Sequence, residues 1–268
     1  MAAVGLLQTP GRIGMGKMNV RFLGSGDAFG SGGRFQTCMY VRPEGFEPED
    51  QGPSRLLVDC GASSLVAMKR YGVKTSDIDA ILLSHLHGDH FGGLPFFILE
   101  SRYISDRRKP LVVAGPPGLE LRTNEAMEVL YPGSSGSEQS FALEFVELKE
   151  ETRAEIGPFS VTPYPVVHPS GAPAYALRIS YEDKTLAFSG DTEWTDTLVE
   201  VASEADLFIC ECNSFEKVPN HLDYRTLMKH REELGCRRLV LTHMGEEMLR
   251  RIGELDLEGA EDDQSYVL

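Results

Sequence analysis

The stretch Ser84-His85-Leu86-His87-Gly88-Asp89-His90 (SHLHGDH) gathers three imidazoles and a carboxylate, in a chain with only 7 histidines among 268 residues. A polar loop facing water would account for one or two of them. The run before it, Asp79-Ala-Ile-Leu-Leu-Ser84, reads instead as a buried strand. A strand leaving a core delivers whatever follows it to a fixed place. Three histidines and an aspartate delivered together point to a metal site, and such a site needs further ligands elsewhere in the chain.

Three isolated side chains supply them. His168 ends the strand-like run Tyr164-Pro-Val-Val-His168, and His243 ends Arg238-Leu-Val-Leu-Thr-His243. Asp191 follows Thr185-Leu-Ala-Phe-Ser-Gly, again an apolar strand closing on small residues. A lone histidine at a strand end is commonly a satisfied structural residue. Three metal-type side chains at the ends of three separate buried strands, alongside SHLHGDH, argue against coincidence.

The composition bounds what surrounds the site. A 41% hydrophobic and 9% aromatic content suits a globular chain with a sizeable core. No apolar run approaches the roughly 18–20 residues that span a bilayer, so no membrane partner is expected. Five cysteines with no paired-knuckle spacing read as core or site-lining thiols in a reducing, cytoplasmic compartment. The formal net charge of -15, from 41 acidic and 26 basic residues, disfavours an extended nucleic-acid footprint. A local phosphate pocket stays compatible with it, because a bound metal inverts the local sign.

Strand runs in both halves of the chain, each followed by helical spacing, indicate one α/β domain with two sheets. Residues 1–17 read as a disordered extension, 18–255 as the folded domain, and 256–268 as an acidic, solvated or disordered tail. Helical spacing is expected over Ser64–Tyr71, Leu94–Ile104 and from Pro116 through Val129.

The ordered pattern His-x-His-x-Asp-His, a distant histidine, Gly-Asp and a last histidine resembles the metallo-β-lactamase superfamily, from about Met18 to His243. The resemblance implies a four-layer αβ/βα sandwich of two mixed sheets with outer helices, its site at the sheets' edge. It also implies that His85, His87 and His168 hold one metal, that Asp89, His90 and His243 hold a second, and that Asp191 bridges them. Asp59, closing Leu57-Val-Asp59, would orient a ligand imidazole; its alternative is to cap the helix starting near Ser63. Two divalent ions are implied, zinc by the imidazole-rich set, with manganese or iron(II) as alternatives. Two metals about 3.5–4 Å apart can share a hydroxide and clamp attacking and leaving oxygens, and Asp89 beside that hydroxide could take its proton. The lactamase-type site differs in having a cysteine where Asp191 stands, and the oxygen-reducing di-iron branch in having a glutamate where His87 stands.

The nearest likeness is to ribonuclease Z and to the cyclic phosphodiesterase of phosphonate degradation. Both have a histidine just before the last helix–strand–His unit, a place taken here by His221 in Val218-Pro-Asn-His221. His221 would then protonate the leaving oxygen or contact the phosphoryl group, helped by a helix N-terminus; the alternative is a capping or surface histidine. The glycine-rich loop Gly24–Gly33, through Gly26 and with Arg34, is a candidate phosphate cradle. Ribonuclease Z also carries a tRNA-gripping arm, for which Ala114-Gly-Pro-Pro-Gly118 leaves no room, and a glutamate behind its histidine that the His221 segment lacks, Asp223 being the only substitute nearby. The expected activity is therefore metal-dependent hydrolysis of a small phosphodiester. The alternatives are tRNA 3′ processing, hydrolysis of a lactone, thioester or sulfate ester on the same site, and a catalytically silent binding member of the fold. A homodimer is left open.

Overall fold

The computed structural model describes residues 16–44, 54–138 and 140–268. Their strands are β1 (Met18–Gly24), β2 (Cys38–Pro43), β3 (Leu56–Val58), β4 (Ala80–Leu82), β5 (Leu111–Gly115), β6 (Leu143–Glu147) and β7 (Ala154–Ile156). They continue with β8 (Phe159–Pro165), β9 (Tyr175–Tyr181), β10 (Lys184–Phe188), β11 (Leu207–Glu211), β12 (Leu239–Thr242), β13 (Glu258–Gly259) and β14 (Ser265–Val267). They form two seven-stranded sheets, ordered β14-β1-β2-β3-β4-β5-β6 and β13-β12-β11-β10-β9-β8-β7. Each sheet is mixed, with a parallel half, β3 to β6 in one and β10 to β13 in the other, joined to antiparallel strands.

The alternation of side chains explains why the strands read as continuous apolar runs. In β4, Ala80 and Leu82 enter the core between the sheets, while Ile81 faces the helices behind. In β11, Leu207 and Ile209 enter that same central core, while Phe208 and Cys210 face the other helical layer. Strands buried on both faces carry no polar stripe.

The helices are α1 (Ser64–Arg70), α2 (Gly88–Phe91), α3 (Leu94–Tyr103), α4 (Leu119–Leu130), α5 (Thr197–Ala202), α6 (Tyr224–His230) and α7 (Glu246–Arg250). Met68 of α1, Phe97 of α3 and Met127 of α4 cover the first sheet; Leu198 of α5, Leu227 of α6 and Met248 of α7 cover the second. The result is a helix–sheet–sheet–helix sandwich. No helix among the described residues is long and apolar enough to cross a membrane. Only residues 116–118 separate β5 from α4, which starts three residues later than Pro116.

The C-terminal segment differs from the expected acidic tail. Residues 258–259 and 265–267 are strands in the two sheets, and Tyr266 packs edge-to-face on Phe22 at 6.1 Å. Its acidic residues serve as acceptors. The Asp262 carboxylate takes the Ser25 N–H and Oγ–H, both at 2.8 Å, and the Phe35 N–H at 2.9 Å. Charge density alone does not reveal such a role, because the donors lie more than 200 residues away in sequence. The folded unit thus runs through residue 268, past the boundary expected at 255; of the expected extension, residues 1–15 lie outside the described residues.

Asp262→Ala is expected to lower the free energy of unfolding by about 1–3 kcal/mol, because three donors lose their acceptor. Urea unfolding at unchanged m-value reads this directly, and a loss below about 0.5 kcal/mol would return the segment to a surface role.

Candidate metal centre

The spacing of SHLHGDH follows from a change of backbone at its centre. His85 and His87 lie on the extended segment leaving β4, and His87 is the residue preceding α2, at φ −77° and ψ 152°. Extended residues two apart share a side. The first turn of α2 then brings Asp89 and His90 back over the same spot, with the His90 N–H bonded to the His87 carbonyl at 3.0 Å. The second sheet delivers His168 after β8, Asp191 after β10 and His243 after β12. All of these stand at the carboxyl ends of strands, where open α/β sheets place their ligands.

Two donor sets result. In the first, His85, His87 and His168 offer donor atoms within 4.8 Å of one another. His87 Nδ1 and His168 Nε2 face each other at 3.0 Å, a spacing that requires a proton or a cation between two lone pairs. In the second set, His243 Nε2 lies 3.1 Å from Asp89 Oδ2, and His90 Nε2 lies 3.2 Å from Asp89 Oδ2 and 3.2 Å from Asp191 Oδ1. Asp191 stands between the sets: its Oδ2 is 3.8 Å from His85 Nε2, 3.8 Å from His168 Nε2 and 3.4 Å from His243 Nε2.

The surrounding residues fix these orientations. Asp59, fully buried, accepts the Ser84 N–H at 2.8 Å, the Ser84 Oγ–H at 2.9 Å and the His90 Nδ1–H at 2.7 Å. It thereby leaves His90 Nε2 for the site, and it does not cap α1, whose preceding residue is Ser63. The Asn220 carbonyl accepts the His168 Nδ1–H at 2.8 Å, aiming Nε2 inward. Asp59 and His243 both take the left-handed backbone region, at φ 60° and φ 56°. Such residues persist where neighbours over-determine them; the His243 N–H, for one, is tied to the Ser25 carbonyl at 3.2 Å.

His221 also reaches the site, with its ring stacked on His243 at 5.4 Å and Nδ1 4.0 Å from Asp191 Oδ2. Its side chain is 24% exposed, so it faces the mouth. Behind it lies Glu211, which sequence reasoning missed: Oε1 and Oε2 stand 3.1 and 3.2 Å from His221 Nδ1, and Oε1 accepts the Thr192 N–H at 2.6 Å. The signal was present, since Leu207-Phe-Ile-Cys-Glu211 ends an apolar strand in a polar side chain just as the Asp191 and His243 runs do. Asp223 instead caps α6 by accepting the Thr226 N–H at 2.9 Å, which occupies the helix end expected to face substrate. Burial alone would push the His221 imidazole down, but the hydrogen bond and charge of Glu211, with Asp191, hold it above its ordinary value.

The glycine-rich loop is largely satisfied from within. The Gly26 N–H is bonded to the Phe35 carbonyl at 2.7 Å, and the Gly32 N–H to Glu246 Oε1 at 2.9 Å. Arg34 turns to Ser25 Oγ and the Ala260 carbonyl. Gly26 and Arg34 therefore support the loop beneath His243, their donors engaged within the protein.

The donor set fits divalent cations. His85 Nε2, His90 Nε2 and Asp191 Oδ1 face the site, buried without a hydrogen-bond partner, a condition that native interiors rarely tolerate without a further group to bind. Burial and the neighbouring imidazoles push His85 well below its ordinary value, which keeps a lone pair available. Burial would lower His243 too, yet Asp191 and Asp89 raise it to about 9: the carboxylates demand positive charge. Imidazole nitrogens with carboxylate oxygens suit zinc and comparable ions.

Comparison with known proteins agrees with this arrangement. A family model described as anti-Pycsar protein Apyc1 matches residues 18–260. The chain is 27% identical over 203 residues to a probable metallo-hydrolase, YhfI, of Bacillus subtilis, covering 72% of this chain and 76% of that one. It is 31% identical over 163 residues to a ribonuclease Z of Lachnospira eligens, covering 60% of this chain and 49% of that enzyme. Among solved structures, YhfI superposes with a TM-score of 0.73 at 21% identity, covering 94% of this chain and 100% of that one. A diphosphatase from the PhnP family gives 0.71 at 18% identity (93% and 97% covered), and the short form of human tRNase Z gives 0.69 at 23% (92% and 98%). At these identities the superpositions establish the fold.

Chelator-stripped protein is expected to unfold at a lower temperature and to recover on adding zinc. The gain should be about 2.7 kcal/mol when free metal is a hundredfold above its dissociation constant. No recovery with zinc, manganese or iron(II) in a thermal-shift titration would count against a metal centre.

Proposed function

The chain belongs to the anti-Pycsar protein Apyc1 family, in the ribonuclease Z and PhnP branch of the metallo-β-lactamase superfamily, and from that premise we propose a dinuclear metallohydrolase of small phosphodiesters. The observation that carries the reading is the partly exposed His221, braced by the buried Glu211 and set against two donor sets. In this reading His85, His87 and His168 hold one cation, Asp89, His90 and His243 hold the other, and Asp191 touches both. Two bound divalent ions would supply charge neutralisation at the phosphoryl oxygens and an activated water.

The protein's own groups do the rest. Asp59 holds the tautomer of His90, and the Asn220 carbonyl that of His168. Asp89, buried beside His90 and His243, would hold the second cation and accept a hydrogen bond from the attacking water, taking up its proton as it attacks. Glu211 engages His221 Nδ1, which leaves Nε2 to carry a proton to the leaving oxygen, and its negative charge stabilises the imidazolium before transfer. The short passage from β5 to α4 and the net charge of -15 favour a small substrate over a structured RNA. The ribonuclease Z relatives supply the second reading, tRNA 3′ processing, although this chain spans only about half of such a relative.

Three measurements test the proposal. Protein purified without chelator should carry close to two equivalents of transition metal, and Asp191→Ala should lose metal and activity together; a stoichiometry fixed at one after metal is supplied would reject the dinuclear reading. A panel of phosphodiester, phosphomonoester, lactone and thioester substrates with a tRNA precursor should be led by the small diesters, and efficient tRNA maturation at physiological salt would overturn that. His221→Ala should keep its metal and lose about 10²–10⁴-fold in kcat on a diester with a poor leaving group, with much less lost on a nitrophenyl ester. A uniform loss would place His221 on the phosphoryl oxygens instead.

A further inference from the structure

His221 is carried by the loop Lys217-Val-Pro-Asn220, and it is the residue before it that the structure holds most tightly. Asn220 stands in the left-handed region at φ 68°. Asparagine tolerates that region better than most residues, but at a cost kept only where the surroundings impose it. Both of its backbone groups are engaged. Its carbonyl accepts the His168 Nδ1–H at 2.8 Å, and its N–H donates to Glu193 Oε1 at 2.8 Å.

Glu193 is itself well anchored. Its N–H is bonded to the Val167 carbonyl at 3.0 Å, and the Val167 N–H donates to Thr192 Oγ1 at 3.1 Å. The Thr192 N–H donates to Glu211 Oε1 at 2.6 Å. The short segment Asp191-Thr192-Glu193 thus touches every support of His221: Glu211 behind the ring through Thr192, and Asn220 before it in the chain through Glu193. Without the Glu193 acceptor, Asn220 keeps a strained φ with one bond in place of two. Relaxing that φ rotates the next residue, so the imidazole of His221 swings while Glu211 stays in place.

We propose that Glu193 is a positioning residue for His221, its carboxylate clamping the Asn220 N–H so that His221 points at the leaving oxygen. This deepens, and rests on, the reading of His221 as proton donor. The clamp needs an acceptor and not a charge, so a glutamine should replace it and an alanine should not.

The test is steady-state kinetics of the zinc-loaded full-length protein on two diesters, one with an alkoxide and one with a nitrophenolate leaving group. Variants E193A, E193Q, H221A and the double variant H221A/E193A are compared, with metal content measured for each. E193A should lose about 10–100-fold in kcat on the alkoxide diester, the order of effect of a misplacement near 1 Å, while its nitrophenyl rate and zinc content stay near wild type. E193Q should recover most of the loss, and E193A should add nothing once His221 is gone. If H221A shows the leaving-group contrast and E193A does not, the clamp is wrong and the donor reading stands. If H221A shows no contrast, the donor reading falls and takes the clamp with it. Zinc loss in E193A would make Glu193 a support of His168 and overturn the proposal as well.

Discussion

The carboxylate of Asp191, 2% exposed, has nitrogens of five imidazoles within 4.0 Å: those of His85, His90, His168, His221 and His243. A buried carboxylate is tolerable only if opposite charge meets it, and no single sheet supplies that charge. His85 and His90 come from the first sheet; His168, His221 and His243 come from the second. The two sheets therefore have to pack face to face with the carboxyl ends of these strands brought together. The central core of Leu82, Phe188 and Ile209 is what holds them so.

The site divides into parts of different rigidity. The metal-type donors follow core strands, and a hydrogen bond from outside the donor set orients His90 and His168. His221 stands on a loop, held by its stacking on His243 and by hydrogen bonds: Glu211 on the ring, Glu193 and His168 on the preceding residue. This contrast suits the chemistry. A pair of cations demands fixed donor geometry, whereas a group that meets leaving oxygens of different substrates has to sit at the accessible rim.

Much of this could be read from the chain. The two-sheet α/β domain follows from the strand and helix runs, and the metal site from metal-type side chains that end apolar strands; the four layers and the division into two donor sets come from the family resemblance. Glu211 obeys that same rule and was overlooked because the cysteines on either side of it, Cys210 and Cys212, drew the reading towards core thiols. Asp223 looked like the partner of His221 because it is two residues away, yet a helix start uses it up as a cap. Asp262 and Glu193 were out of reach for another reason. Each acts by accepting a backbone N–H from a remote segment, and a backbone donor leaves no mark in the sequence. The acidic C-terminal stretch shows the limit of composition most clearly: the Asp262 carboxylate serves Ser25 and Phe35, and Asp263, although exposed, pairs with Arg21.

The net charge of -15 and an anionic substrate pose an apparent conflict that the site itself resolves. Within the donor sets Asp89 and Asp191 contribute two negative charges, and Glu211 with a protonated His221 contributes none. Under the proposed two-cation reading, the cations would outweigh the two carboxylates and leave the loaded centre locally positive in a chain of negative net charge. The field of such an arrangement is short-ranged, because beyond about 8 Å at physiological salt the surface charges are screened and the centre is offset by its own ligands. On the proposed reading, a diester small enough to reach the centre would feel the attraction, whereas a long polyanion would also meet the chain's net negative charge.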